Sequence, residues 1–110
     1  MAGKFEIKQA ANGKFTFNLL AGNGQIILSS EMYEQRSGAQ GGIQSVKSNA
    51  ADDARYERLT SKSGNPYFVL KSGNGETVGR SEMYSSTAAM ENGIESVKKN
   101  APTAEIAEAA

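Results

Sequence analysis

Few residues in this chain could carry out chemistry, and their types limit what that chemistry could be. Histidine and cysteine are both missing from its 110 residues. Ser-His-Asp catalysis, histidine-based metal sites and the usual near-neutral general base are thereby excluded, as are thiolate chemistry and a disulfide framework. Aspartate occurs only as Asp52-Asp53, in a short junction that reads as a polar turn rather than a metal site. A serine nucleophile would need a lysine base, and no Ser-x-x-Lys stands in a recognisable catalytic setting. What remains is a phrase written twice, Ser30-Glu31-Met32-Tyr33 and Ser81-Glu82-Met83-Tyr84. A Glu-Tyr pair on two related corners (Glu31 with Tyr33, Glu82 with Tyr84) could bind a partner. The favoured reading is structural: Met32 and Tyr33 fill a corner between strand and helix, and Ser30 and Glu31 satisfy backbone donors there.

The doubled phrase belongs to a longer duplication. Phe5–Ala50 aligns without a gap on Tyr56–Ala101 at a shift of 51, with 18 of 46 pairs identical. Within each copy the pattern changes period. Phe5 and Ile7 alternate with Glu6 and Lys8, as in a half-buried strand. Asn12-Gly13 predicts a type I′ hairpin turn into a second strand carrying Phe15, Phe17 and Leu19 on one face. Asn23-Gly24 turns the chain into a third strand, Gln25–Leu28. Ala39, Ile43, Val46 and Ala50 then recur at helical spacing, as do Met90, Ile94, Val97 and Ala101. Ser85 or Ser86 is the expected N-cap of the second helix. Gly38, Gly41 and Gly42 predict a late or frayed start for the first. Gly42 and Gly93 are expected to let the helices lie close on the sheet.

About 50 residues seldom bury enough apolar surface to stand alone, so the copies must share a core. The expected fold is α+β: one continuous antiparallel sheet built from two strand-strand-strand-helix units, pseudo-twofold, with two helices packed on it. The expected domain spans 1–110, with repeats at about 4–54 and 55–106 and a short flexible C-terminal tail. A Gly-rich stretch, Gly73 to Gly79, has its third glycine one position late for a dinucleotide loop and no helix opening from it, so it reads as a hairpin turn.

The phrases Gly-Asn-Gly, Ser-Glu-x-Tyr and Asn92-Gly93-Ile94-Glu95-Ser96-Val97-Lys98-Lys99-Asn100-Ala101 resemble the YegP-like family of uncharacterised bacterial proteins, in its duplicated form, over about Phe5 to Ile106. Copy one departs from the helix phrase at Gly41 and Gln44. The resemblance implies tandem β3-α-β units whose post-helix strands are exchanged onto the other repeat, which gives Ala104-Glu105-Ile106 a place. It implies no activity, ligand or catalytic residue.

Charge narrows the function classes further. The chain carries 12 basic and 12 acidic residues, balanced within each half, so it lacks the basic footprint of a nucleic-acid binder. The opening residues lack the apolar run of a signal peptide. No stretch approaches the roughly 18 to 20 apolar residues that span a bilayer. A soluble cytoplasmic monomer without cofactor or metal is expected by elimination. The expected function is a non-enzymatic binding module with an unspecified protein or small-molecule partner. A nucleic-acid-binding protein is the second reading and an enzyme the third. The site would lie on the sheet face turned away from the helices, where alternation places Leu20, Ile26, Leu28, Leu59, Tyr67 and Val69.

Overall fold

The computed structural model describes residues 3–108. Its elements follow the duplication. Repeat one has β1 (Lys4–Gln9), β2 (Phe15–Leu20), β3 (Ile26–Ser29) and α1 (Arg36–Asn49). Repeat two has β4 (Tyr56–Thr60), β5 (Pro66–Lys71), β6 (Thr77–Arg80) and α2 (Thr87–Asn100). The last strand, β7 (Glu105–Glu108), follows α2 through a single 3-10 turn. All seven strands form one sheet in the order β4-β5-β6-β3-β2-β1-β7. The post-helix strand of repeat two therefore lies against repeat one. Its pairing with β1 is parallel, Phe5 beside Ile106, whereas every other pair is antiparallel. The sheet is thus mixed at one edge. Of the tail expected after Ile106, residues 107 and 108 belong to β7 and the last two lie outside the described residues.

Four hairpin loops share one conformation. In each, only the glycine (Gly13, Gly24, Gly64 or Gly75) takes a positive φ, between 82° and 88°. The preceding Asn12, Asn23 and Asn74 do not, so the turns are not type I′. A backbone bond such as Gly24 N to Ala21 O closes a four-residue turn, and the next strand starts after the left-handed glycine. Asn12, Asn23 and Asn74 each accept a bond from the backbone two residues on, which holds the loop without a positive φ of their own.

The two helices match in length and register. α2 is capped by Ser86, whose hydroxyl accepts from Ala89 N at 3.1 Å. α1 starts at the equivalent residue, Arg36, with no side-chain cap. The late start expected from its glycines is therefore corrected. Tertiary packing overrides propensity there: Gly38 and Gly42 face the Tyr33 ring, and a Cβ on Gly42 would overlap the Tyr33 hydroxyl. Gly93 meets Tyr84 in the same way. Gly42 and Gly93 permit close approach of the sheet, through Phe17 and Phe68, and also of the tyrosine from each strand–helix corner.

Phe5, Ile7, Phe17 and Leu19 join Tyr56, Phe68, Leu70, Ile43, Val46, Ile94 and Val97 in a single buried cluster. Both helices therefore cover the same side of the sheet. Tyr56 adds a polar handle, since its hydroxyl donates to Ala50 O at 2.7 Å. Burial above all, with Asp53 and Glu95 adding to it, pushes this phenol well above its ordinary range.

Candidate functional site

The outward sheet face is built as alternation requires, with one correction. Asn18, Leu20, Ile26, Leu59, Tyr67 and Val69 point away from the helices. Leu28 does not. A register shift lets Leu19 pair with Leu28 while Leu20 pairs with Ile26, so Ile27 is an extra residue in a bulge. The bulge reverses parity, and Leu28 joins Ile27 in the core. Val69, on the open face, is only 4% exposed because its neighbours screen it. Beside it Lys71 pairs with Glu57 of the neighbouring strand at 3.0 Å, and on β1 Lys8 and Glu6 lie 4.0 Å apart along the same strand.

The doubled corners are packed through their tyrosines. Tyr33 stacks on Phe17 and Tyr84 on Phe68, at centroid distances of 6.2 and 6.3 Å. Burial raises both phenols, with the charges of Glu31 and Glu76 adding to this at Tyr33 and Glu82 at Tyr84. Both therefore stay protonated. Ser30 and Ser81 fix the bend: each hydroxyl accepts from the β2 or β5 backbone (Phe17 N at 2.8 Å, Phe68 N at 3.0 Å) and donates to the following glutamate's carbonyl. Glu31 and Glu82 remain exposed and enter this bonding only through their backbone carbonyls. Met32 and Met83 do not fill the corners, as expected from sequence, but stand 54% and 52% exposed. Each corner has one large slot, and the aromatic ring takes it.

One cleft brings the two groups of candidate residues together. β3 and β6 overlap at a single pair, Ser29 with Arg80, which is the last residue of each strand. On one side of that pair the start of β3 faces the exit from β6. Ile26 and Ile27 there oppose Glu82, Met83 and Tyr84 across a cleft of about 460 Å³, with Gly24 and Gln25 at its end. Ile26 is itself 38% exposed. Glu82 is the one charged residue in this lining. The 51-residue shift puts Glu76 and Thr77 at the matching corner in place of Gln25 and Ile26, so that corner is more polar. Leu59, Tyr67 and Val69 lie on the outer strands and do not reach the cleft. Met83 and Ile27 were not among the residues expected from sequence, although the Ile26-to-Thr77 difference between repeats marks the spot.

The remaining shifted groups form a separate ion cluster at the β4 edge. Arg58 Nε lies 2.6 Å from Glu91 Oε2, and Asp53 Oδ1 receives Arg58 Nη2 at 3.0 Å and Lys98 Nζ at 2.8 Å. Its members neutralise one another at the surface. Among the described residues no group of three potential metal ligands gathers, and no helix is long and apolar enough to cross a membrane.

Comparison with known proteins agrees with this architecture. The family described as "Domain of unknown function (DUF1508)" matches twice in tandem, at residues 10–57 and 61–108. A UPF0339 protein of Bordetella pertussis is 57% identical over 94% of this chain and 93% of its own. The UPF0339 protein YegP of Yersinia pestis is 52% identical over 89% and 88%. The solution structure of a UPF0339 protein from Shewanella oneidensis superposes with a TM-score of 0.92 at 47% identity, covering 98% of this chain and 92% of that one. The solution structure of yegP from E. coli gives 0.93 at 42% identity, covering 98% and 93%. Two tandem matches and full-length relatives sharing this sheet leave one conclusion: the chain belongs to the DUF1508 family, as a duplicated member whose two units share a single core.

Proposed function

We propose that this chain is a non-enzymatic interaction module, and that its contact surface is the cleft beside Ile26 with the open sheet face adjoining it. The observation that carries this reading is the meeting of Ile26 and Met83, both exposed large apolar residues, in one cleft between the start of β3 and the exit from β6. Apolar side chains left accessible and rimmed by polar groups mark contact sites more often than chance exposure does. Methionine suits such a surface because its unbranched thioether adapts to the shape of what it meets. The ion cluster at β4 supports the non-enzymatic reading, since its perturbed groups are satisfied by each other. The cysteine-free sequence fits action in the cytoplasm. Both halves of the sheet in one chain fit a monomer.

The test is affinity capture from native lysate with the intact chain and with Ile26→Thr/Met83→Thr. Both residues are exposed, so the double variant should fold. Partners held by the first and lost by the second are the expected result. Equal capture by both would overturn the assignment of the surface. A salt-dependent shift with mixed DNA or RNA would instead support a nucleic-acid role.

A further inference from the structure

We infer that the cleft between β3 and the exit from β6 takes an extended peptide segment carrying an apolar side chain within two residues of a lysine or arginine; the inference rests on the interaction reading above. Three features select this occupant. The first is the shape of the walls. β3 and β6 pair only at Ser29 and Arg80, the last residue of each, so the rest of β3 has no strand partner on this side and its edge faces the opening, opposite the β6 exit that Ser81 N and Tyr84 N tie to β5. Such an edge is satisfied by another extended backbone, whose main-chain groups supply affinity while alternate side chains supply specificity. A helix would present no free backbone groups to it.

The second feature is the lining. Ile26, Ile27 and Met83 offer apolar contact, with the Tyr84 ring behind them. A volume of about 460 Å³ falls in the range of sites that enclose a small ligand. It is open enough to admit a side chain together with the backbone that carries it.

The third feature is charge. Glu82 is exposed at the rim and enters no ion pair among the described residues. Over the central strand pair the neighbouring charges are Glu31 and Arg80, so the three together leave one negative charge. A single cationic side chain on the segment complements it, and lysine or arginine can reach the rim while its stem stays on the apolar wall. The corner of repeat two is selected over that of repeat one because Thr77 replaces Ile26 where β6 opposes Met32. The duplication therefore yields one apolar cleft.

The experiment titrates the full chain with three blocked tetrapeptides: one with leucine followed by lysine, one with leucine followed by glutamate, and one with serine followed by lysine. Methyl resonances of Ile26, Met32, Thr77 and Met83 report where each binds. The leucine–lysine peptide should shift Ile26 and Met83 and leave Met32 and Thr77 unmoved. Its Kd should be about fivefold below that of the leucine–glutamate peptide, the scale of one exposed ion pair, and about tenfold below that of the serine–lysine peptide, which lacks the apolar side chain. Glu82→Gln should erase the preference for lysine over glutamate while leaving leucine preferred over serine. Equal affinity for the lysine and glutamate peptides, equal shifts at the Met32 corner, or no shift with any peptide would overturn the inference. If lysate partners are nevertheless lost on changing Ile26 and Met83, the interaction reading stands and only the class of segment is wrong.

Discussion

Leu28 lies over Gly79 at the centre of the molecule: a Cβ on that glycine would come within 2.6 Å of both Cγ and Cδ2 of Leu28. The two positions are equivalent in the duplication, one in β3 and the other in β6, and they meet near the pseudo-twofold axis. Two leucines could not occupy this space, and two glycines would leave it empty. The repeats have diverged into a knob and its socket. Gly79→Ala should therefore destabilise by about 1 to 3 kcal/mol through overpacking. Leu28→Ala should cost about 2 to 5 kcal/mol by opening a cavity. Leu28→Gly combined with Gly79→Leu should destabilise by less than the sum of those two single variants, read as a non-additive double-mutant cycle in urea midpoints.

The same pair governs how separated repeats would assemble. A fragment ending at Ala54 would confront Leu28 with its own copy if it dimerised, whereas the complementary fragment supplies Gly79. Mixing the two fragments should give a folded one-to-one complex, and either alone should be unfolded or weakly self-associated. Sedimentation and circular dichroism of each fragment and of the mixture check this. A folded, monomeric single fragment would contradict the shared core.

Neighbouring glycines in α1 should respond with opposite signs. Gly41 has nothing within 4 Å of an added Cβ, so Gly41→Ala should stabilise by up to about 1 kcal/mol through helix propensity. Gly42→Ala should destabilise by about 1 to 3 kcal/mol, because the new methyl meets Tyr33 and Phe17. Tyr33→Phe removes the hydroxyl but leaves Cζ, which would lie 2.8 Å from the added Cβ. It should rescue Gly42→Ala only in part. Thermal melts of the four variants suffice.

Acid should weaken the β4 edge. Hydrogen bonds from Lys98 and then Arg58 hold the Asp53 carboxyl below its ordinary value, and Arg58 does the same for Glu91. A carboxyl lowered in the folded state contributes stability above its unfolded pKa, and that contribution is lost as pH falls through the folded value. Asp53→Asn/Glu91→Gln should thus lower Tm most near neutrality, with the difference closing below about pH 4. Because these groups are exposed, added salt should shrink the neutral-pH difference as well.

Much of the fold was legible because the duplication repeats its own evidence. The identical spacing of Ile43, Val46 and Ala50 with Ile94, Val97 and Ala101 placed both helices and their buried faces. The Asn-Gly pairs likewise marked where the turns fall, at Gly13 and Gly24, although not their type. Leu28 was misplaced because Ile26-Ile27-Leu28 is a continuous apolar run, which offers no alternation to disclose a bulge. Met32 and Met83 were misplaced because apolar character alone does not say which of two adjacent side chains wins a single buried slot. The parallel setting of β7 follows from where the 3-10 turn at Ala101–Thr103 delivers the chain after α2, which short-range pattern does not encode. Ile26, Glu82 and Tyr84 stood among the residues expected from sequence, but that they line one cleft was not legible, because short-range pattern does not set the start of β3 opposite the exit from β6.

The parallel pairing of β1 with β7 has a mechanical consequence. The first and last strands of the sheet run side by side in the same direction, with Lys4 beside Glu105 and Ile7 beside Glu108. Tension applied through the two ends of the chain would enter β1 at its beginning and β7 at its finish. It would slide the strands along each other and load their ladder bonds together, instead of peeling them apart one by one. The sheet is fastened at the edge where a pull on the chain would arrive first.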